Sequence, residues 1–316
     1  MQMHRMRKTP LVFVPGVFGS RGDMIIPGTG RWSFGAAGAI YDPFVRQLEQ
    51  LGYERNISLF IAFYDWRQPL PNAAQTFLVH TIQEAKRKTG ARHVNLLGHS
   101  MGGLVSRAYV QSDYYQDDVN QLIVLCSPNA GSPANYAYWT GATLEHHSEA
   151  PVNVVSLYMD RYLSYLTQIS PLNRVEAIHM YFPSLLDCVP SQDYGNYVIV
   201  NASDSKRFVP YQTLGVQNLF LDALNRDQDI LKRRNIEVTL IAGMGHNTIQ
   251  YLQENHCPLT FVWNAGPVWD TVNSDAGDGN VMMKSVFTLE GDQHVIEAGH
   301  IEALFISVPL LKKKLT

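Results

Sequence analysis

Gly98-His99-Ser100-Met101-Gly102 sets a serine between two glycines. The β-rich run Val94-Asn95-Leu96-Leu97 precedes it, and a helix-like run over 103–110 follows. A serine hydroxyl is a weak nucleophile by itself. A sharp strand-to-helix turn exposes its oxygen to a neighbouring base and aims the next residue's backbone N–H at a substrate oxygen. Ser100 is therefore the candidate nucleophile, and the chemistry it suggests is acyl transfer. The bare pentapeptide recurs by chance in roughly one chain in ten of this length, so an ordinary Gly/Ser turn is the plainer alternative. The flanking strand and helix, and the partners that follow, argue against it.

A serine nucleophile needs a histidine to take its proton and a carboxylate to hold that histidine in the right tautomer. With a strand–turn–helix nucleophile, the acid and then the histidine follow downstream. Of the eleven histidines, His294 and His300 come late enough. His294 adjoins Gly291-Asp292 and reads as a strand or turn side chain. His300 follows a strand-like run and Gly299, and it precedes a helical pattern with Ile301, Leu304, Phe305 and Val308 on one face, so it is the favoured base.

In Gly277-Asp278-Gly279-Asn280-Val281 two glycines flank a carboxylate, a tight loop able to aim Asp278 inward. Asp275 and Asp270 are the alternatives, and a solvated acidic turn is the bland reading. A calcium site is disfavoured because the spacing is not that of an EF-hand and no Glu closes it. The chemistry calls for no metal and no cofactor. Acyl transfer also needs two donors for the oxyanion, commonly worth ~3 kcal/mol each. The expected pair is the backbone N–H of Met101 and that of Val17, in the loop leaving the run at 11–14, with Phe18 as the alternative to Val17.

These residues need a frame. Strand-like runs at 11–14, 57–63, 93–97, 122–126 and 236–242 alternate with helical patterns at 43–51, 73–88 and 104–111. That alternation predicts an α/β fold, a mostly parallel sheet with helices on both faces. The interval 132–235 breaks the rhythm and is mostly helical in pattern. It reads as a cap inserted over the sheet's carboxyl edge, where open α/β sheets bind ligands. The expected layout is one domain, with a core of 1–131 and 236–316 and a cap of 132–235. The cap is rich in aromatic residues, among them Tyr136, Tyr138, Trp139, Tyr158, Tyr162 and Phe182. Singly each reads as core. Together they suggest a closed apolar acyl site, because burial gains roughly 0.8 kcal/mol per methylene. Phe18, Tyr136 and Trp139 are the expected substrate contacts.

Composition narrows the classes. The chain has 316 residues, 46% of them hydrophobic, and a formal net charge of −3, so no nucleic-acid partner is implied. No apolar run has membrane-spanning length, and the basic start is followed only by the short run 11–14, which reads as a strand and not as a leader. Cys126, Cys188 and Cys257 are odd in number and widely spaced, which favours free thiols over disulfides or zinc. A cytoplasmic location is expected for the chain as written, although a secreted enzyme trimmed of its leader would read the same.

The motifs together resemble the lecithin:cholesterol acyltransferase-like lipases of the α/β-hydrolase superfamily, in their bacterial-type form. The resemblance runs in order through Val14-Pro15-Gly16-Val17-Phe18-Gly19, Tyr64-Asp65-Trp66-Arg67, Gly98 to Gly102, Ser127-Pro128-Asn129-Ala130-Gly131-Ser132, Phe182-Pro183-Ser184-Leu185-Leu186, Gly277 to Val281, and His300. It implies an α/β-hydrolase fold and an acyl-enzyme route on lipid or other apolar esters. Ser100, Asp278 and His300 fall on its triad positions, and Val17 and Met101 on its oxyanion positions. The family's acid loop usually has Thr where this chain has Asn280, and the lid disulfides of its secreted animal members have no counterpart here. Sterol acyltransferase activity is therefore not implied. The expectation is a serine carboxylester hydrolase, a lipase or esterase, whose amphipathic cap makes transient contact with a lipid surface. The alternatives are an acyltransferase moving the acyl group to an alcohol, or a catalytically silent lipid-binding protein on the same fold.

Overall fold

Leu11–Val14 (β1), Leu59–Ile61 (β2), Val94–His99 (β3), Val119–Leu125 (β4), Glu237–Met244 (β5) and Asp292–Glu297 (β6) form one sheet in the order β6-β5-β4-β3-β1-β2. Every pairing in it is parallel. The computed structural model describes residues 8–22, 32–140, 154–202, 205–254 and 269–315.

The central strands are apolar on both faces, as a sheet covered by helices on each side requires. Val12, Leu96, Leu122 and Leu240 pack into one core with Ile82 and Ala85 of α2 (Val79–Thr89) and Leu104 and Val105 of α3 (Met101–Val110). The alternate residues Leu11, Phe13, Leu97, Ile123 and Ile241 pack into the other core. That core holds Phe44 and Leu48 of α1, here defined as Gly38–Gln50, with Leu304 and Leu311 near the carboxyl terminus. The α1 helix begins earlier than expected. Proline favours a first helical position, but Pro43 sits inside this helix.

The cap interval is less helical than its pattern suggests. Val198–Ala202 and Ser205–Val209 form an antiparallel hairpin. Thr248–Glu254 joins the hairpin in parallel, and Trp269–Ser274 joins Thr248–Glu254 antiparallel. This second sheet therefore combines strands from the interval 132–235 with strands beyond it. The β-branched stretch Val198-Ile199-Val200 is the local signal for strand. Cys126 and Cys188 are buried free thiols. Cys257 and the side chains of Tyr158 and Tyr162 lie outside the described residues. Among the described residues no helix is long and apolar enough to cross a membrane.

One contact between the interval 132–235 and the rest of the chain rests on a buried carboxyl. Asp187, in the 3-10 turn Pro183–Cys188, accepts the backbone N–H of Leu70 at 2.7 Å, where a core helix begins. Burial pushes its carboxyl up to about 6, against the lowering effect of that hydrogen bond. A raised acid binds its proton more tightly in the folded state. Its contribution is therefore fully present below the unfolded value and is lost as pH rises through about 6. Asp187→Asn keeps an acceptor for Leu70 and removes the buried charge. The variant should match the parent near pH 4 and exceed its stability at pH 7.5 by about 1–3 kcal/mol, read by urea unfolding. A variant less stable than the parent at pH 7.5 contradicts this.

Candidate active site

Ser100 stands between the end of β3 and the start of α3 with φ 56° and ψ −129°. A non-glycine residue there carries strain on the order of 1–3 kcal/mol, which its surroundings must hold. Its N–H donates to the Leu125 carbonyl at 2.9 Å, and its own carbonyl accepts from Gly103 N–H at 3.0 Å. Glycine is needed where the elbow meets its neighbours. A Cβ on Gly98 would lie 2.5 Å from the Gly103 Cα, and one on Gly102 would lie 2.1 Å from the Val14 carbonyl oxygen.

Two loops at the same sheet edge bring the partners. His300 follows β6, and its Nε2 lies 2.9 Å from Ser100 Oγ. Asp278 lies in the loop after Trp269–Ser274, with Oδ2 at 2.8 Å from His300 Nδ1. An ionised carboxylate only accepts, so Nδ1 carries the proton and Nε2 is free to receive one from the serine. The acid loop is held from three directions. His300 N–H donates to the Asp278 carbonyl at 2.8 Å, His246 N–H to the Gly277 carbonyl at 3.1 Å, and Gly279 N–H to Thr248 Oγ1 at 2.8 Å. All three side chains are buried, at 9% exposure or less.

Burial alone would raise the Asp278 carboxyl. The charge and hydrogen bond of His300, with the N–H groups of Val281 (2.7 Å) and Asn280 (2.9 Å) on Oδ1, outweigh it and hold the group below its ordinary value. Cys126 lies against the same carboxylate, and burial, then the charge of Asp278, keeps its thiol protonated. Cys126, Asp278 and His300 are close enough together to offer a cation three ligand atoms. Here the carboxylate and imidazole are spent on each other and on Ser100.

The other candidates stand apart. His294 projects from β6 and pairs with Asp292 at 2.8 Å on the surface. Asp270 is in the second sheet, and the Asp275 carbonyl accepts from Gly245 N–H. Val17 and Met101 both line the cleft that contains Ser100 and His300.

The three expected substrate contacts are placed elsewhere. Phe18 meets the edge of Trp66 at 4.5 Å. Tyr136 packs against Tyr197 and Trp269 at 5.2 and 6.0 Å. Trp139 stacks on His179 at 4.0 Å. The apolar wall is instead made by Ala134, Tyr138, Leu185, Cys188 and Val281. For Tyr136 the reason is helix geometry. Ala134 and Tyr138 are four residues apart on one face of Pro133–Trp139, whereas Tyr136 falls on the opposite side. In Tyr64-Asp65-Trp66-Arg67, Arg67 makes a bidentate pair with Asp65 at 2.8 and 2.9 Å, and Trp66 stacks on Phe182 at 5.4 Å. The Arg67 carbonyl accepts Ser184 N–H at 3.1 Å, next to Leu185 of the cleft wall.

The chain is similar to known proteins over parts of its length and in its fold. The family model described as lecithin:cholesterol acyltransferase matches residues 33–158. A stretch of 98 residues is 28% identical to phospholipase A(1) LCAT3 of Arabidopsis thaliana, covering 29% of this chain and 22% of that protein. A stretch of 46 residues is 48% identical to a GPI inositol-deacylase of Debaryomyces hansenii, covering 14% of this chain and 4% of that one. The matches thus span less than a quarter of either curated relative. Among solved structures, the mature Bacillus licheniformis lipase BlEst2 superposes with a TM-score of 0.52 at 14% identity, over 98% of this chain and 92% of that one. The Tle4-Tli4 complex gives 0.51 at 14% identity, over 96% and 98%. At such identities the likeness shows the α/β-hydrolase fold alone.

Proposed function

We propose that this chain, which has the α/β-hydrolase fold and matches the lecithin:cholesterol acyltransferase family model over residues 33–158, is a serine carboxylester hydrolase acting on lipid or other apolar esters through an acyl-enzyme. The observation that carries this reading is the unbroken hydrogen-bond chain Ser100–His300–Asp278 at the mouth of a largely apolar cleft. Ser100 Oγ attacks the ester carbonyl carbon while its proton passes to His300 Nε2, and Asp278 stabilises the imidazolium that forms. The carbonyl oxygen becomes an oxyanion held by the N–H groups of Val17 and Met101. Collapse of the intermediate breaks the bond to the alcohol, which leaves with the proton from His300. Water then enters, gives its proton to His300 and releases the acid. His300 returns the proton to Ser100.

The family description favours one second reading, transfer of the acyl group to an alcohol in place of water. The two share every step up to the acyl-enzyme and differ in what resolves it. Turnover of p-nitrophenyl esters of increasing chain length should rise with length until the apolar wall is filled. Ser100→Ala should lower kcat by about 10⁴-fold or more. Ester turnover that persists in folded Ser100→Ala sinks the proposal. A new ester appearing in place of free acid when an alcohol is added selects transfer over hydrolysis.

A further inference from the structure

His99 and Tyr41 lie directly beneath the nucleophile, and the triad does not use them. His99 is 1% exposed and Tyr41 3%. His99 Nε2 is 3.1 Å from the backbone carbonyl oxygen of His300, and His99 Nδ1 is 3.0 Å from Tyr41 Oη. Gly16 N–H donates to that same Oη at 2.9 Å.

With a neutral His99 ring, one proton arrangement satisfies all three contacts. A carbonyl oxygen accepts, so His99 Nε2 carries the hydrogen. Burial, then the neighbouring charge of His300, pulls His99 down to about 3. The ring is thus neutral at working pH and Nδ1 is a bare acceptor. Tyr41 must then donate to Nδ1, which leaves its oxygen to accept from Gly16. The chain of donors runs from Gly16 N–H to Tyr41 Oη–H to His99 Nδ1, and from His99 Nε2–H to the His300 carbonyl.

Its two ends are significant. Gly16 precedes Val17 and lies so close to the nucleophile that a Cβ there would be 2.8 Å from Ser100 Cβ. The other end is the main chain of the base. We propose that Tyr41 and His99 are positioning residues, a buried strut that sets the separation between the oxyanion loop at Gly16-Val17 and the base loop at His300. The inference rests on the serine hydrolase reading of the same site. The strut holds no ionised group, so its effect is one of geometry and does not vary across the pH range of activity. A misplacement of about 1 Å in such a site can cost roughly 100-fold.

Tyr41→Phe removes only the hydroxyl and keeps the ring stacked on Phe34 at 5.2 Å and beside Phe13 at 5.6 Å. With p-nitrophenyl esters, and with active sites counted by fluorophosphonate titration, it should lower kcat by about 10- to 100-fold. KM should stay within about twofold, and the shape of the pH profile should not change. His99→Asn is the second variant. Its amide can still face Tyr41 but ends short of the His300 carbonyl, and a loss of the same order is expected. The double variant should fall no further than about threefold below the weaker single one, because both cut one strut. A kcat within twofold of the parent in either folded single variant overturns the inference, as do losses that multiply in the double variant. Ser100→Ala, run alongside, keeps the two questions separate. If it stays active, the hydrolase reading itself fails. If it is dead while Tyr41→Phe matches the parent, only the strut fails.

Discussion

Asp278→Asn is expected to lower kcat on a soluble ester by about 10⁴-fold with little change in KM or in folding. The reason is a tautomer. Oδ1 of Asp278 is fixed by the N–H groups of Asn280 and Val281 at 2.9 and 2.7 Å. An asparagine there must keep its oxygen on those donors and turn its NH₂ toward His300 Nδ1. Two donors cannot face each other, so His300 would shift its proton to Nε2. The nitrogen 2.9 Å from Ser100 Oγ would then be protonated and unable to accept from the serine. KM is spared because the carboxylate does not line the cleft. Steady-state kinetics on p-nitrophenyl esters checks this. Activity within about tenfold of the parent would remove Asp278 from the acid's role.

The largest expected effect on stability lies outside the triad. Arg107→Met should lower the free energy of unfolding by about 3–5 kcal/mol, measured by urea denaturation. Arg107 is fully buried on α3, and among the described residues its guanidinium donates to neutral oxygens. It donates to Gln111 Oε1 at 3.0 Å, Asn129 Oδ1 at 3.2 Å, the Asn129 carbonyl at 3.4 Å and Asn225 Oδ1 at 2.9 Å. Burial pulls it down to about 9 against the charge of Asp193, so it stays a cation at neutral pH. A buried acceptor left without its donor costs about 1–3 kcal/mol, and methionine would leave several at once. Here the amide oxygens would lose their donor while their nitrogens stay engaged, Asn129 Nδ2 on the Val286 carbonyl at 2.7 Å and Asn225 Nδ2 on the Asn129 carbonyl at 3.0 Å. A loss below about 1 kcal/mol would mean that water replaces the guanidinium without cost.

What was legible in the sequence follows from how local each signal is. The central strands are short runs of β-branched and leucine residues bounded by turns, and the elbow needs glycines at fixed spacing, so β1, β3, β4, β5 and Ser100 could be found from neighbours alone. His300 and Asp278 were reachable because chain order restricts them to the last loops. The cleft wall was not, because aromatic content does not say which way a ring points. Tyr136 lies on the same short helix as Tyr138, and the helical phase alone separates the ring that packs from the ring that lines. His99 sits inside the pentapeptide, yet its partner Tyr41 is 58 residues away. No local pattern marks such a pair. The hairpin at 198–209 was obscured for a similar reason, since its partner strand comes from beyond residue 247.

The central claim is that Ser100 is an activated nucleophile with His300 as its base. The most direct measurement is labelling of the intact protein with a fluorophosphonate, followed by peptide mapping, repeated on Ser100→Ala and His300→Ala. The account predicts one label per chain on the peptide carrying Ser100, none in Ser100→Ala, and labelling slowed by at least about 100-fold in His300→Ala. Folded protein that takes no label with or without detergent, or that takes it at another residue, would contradict the account.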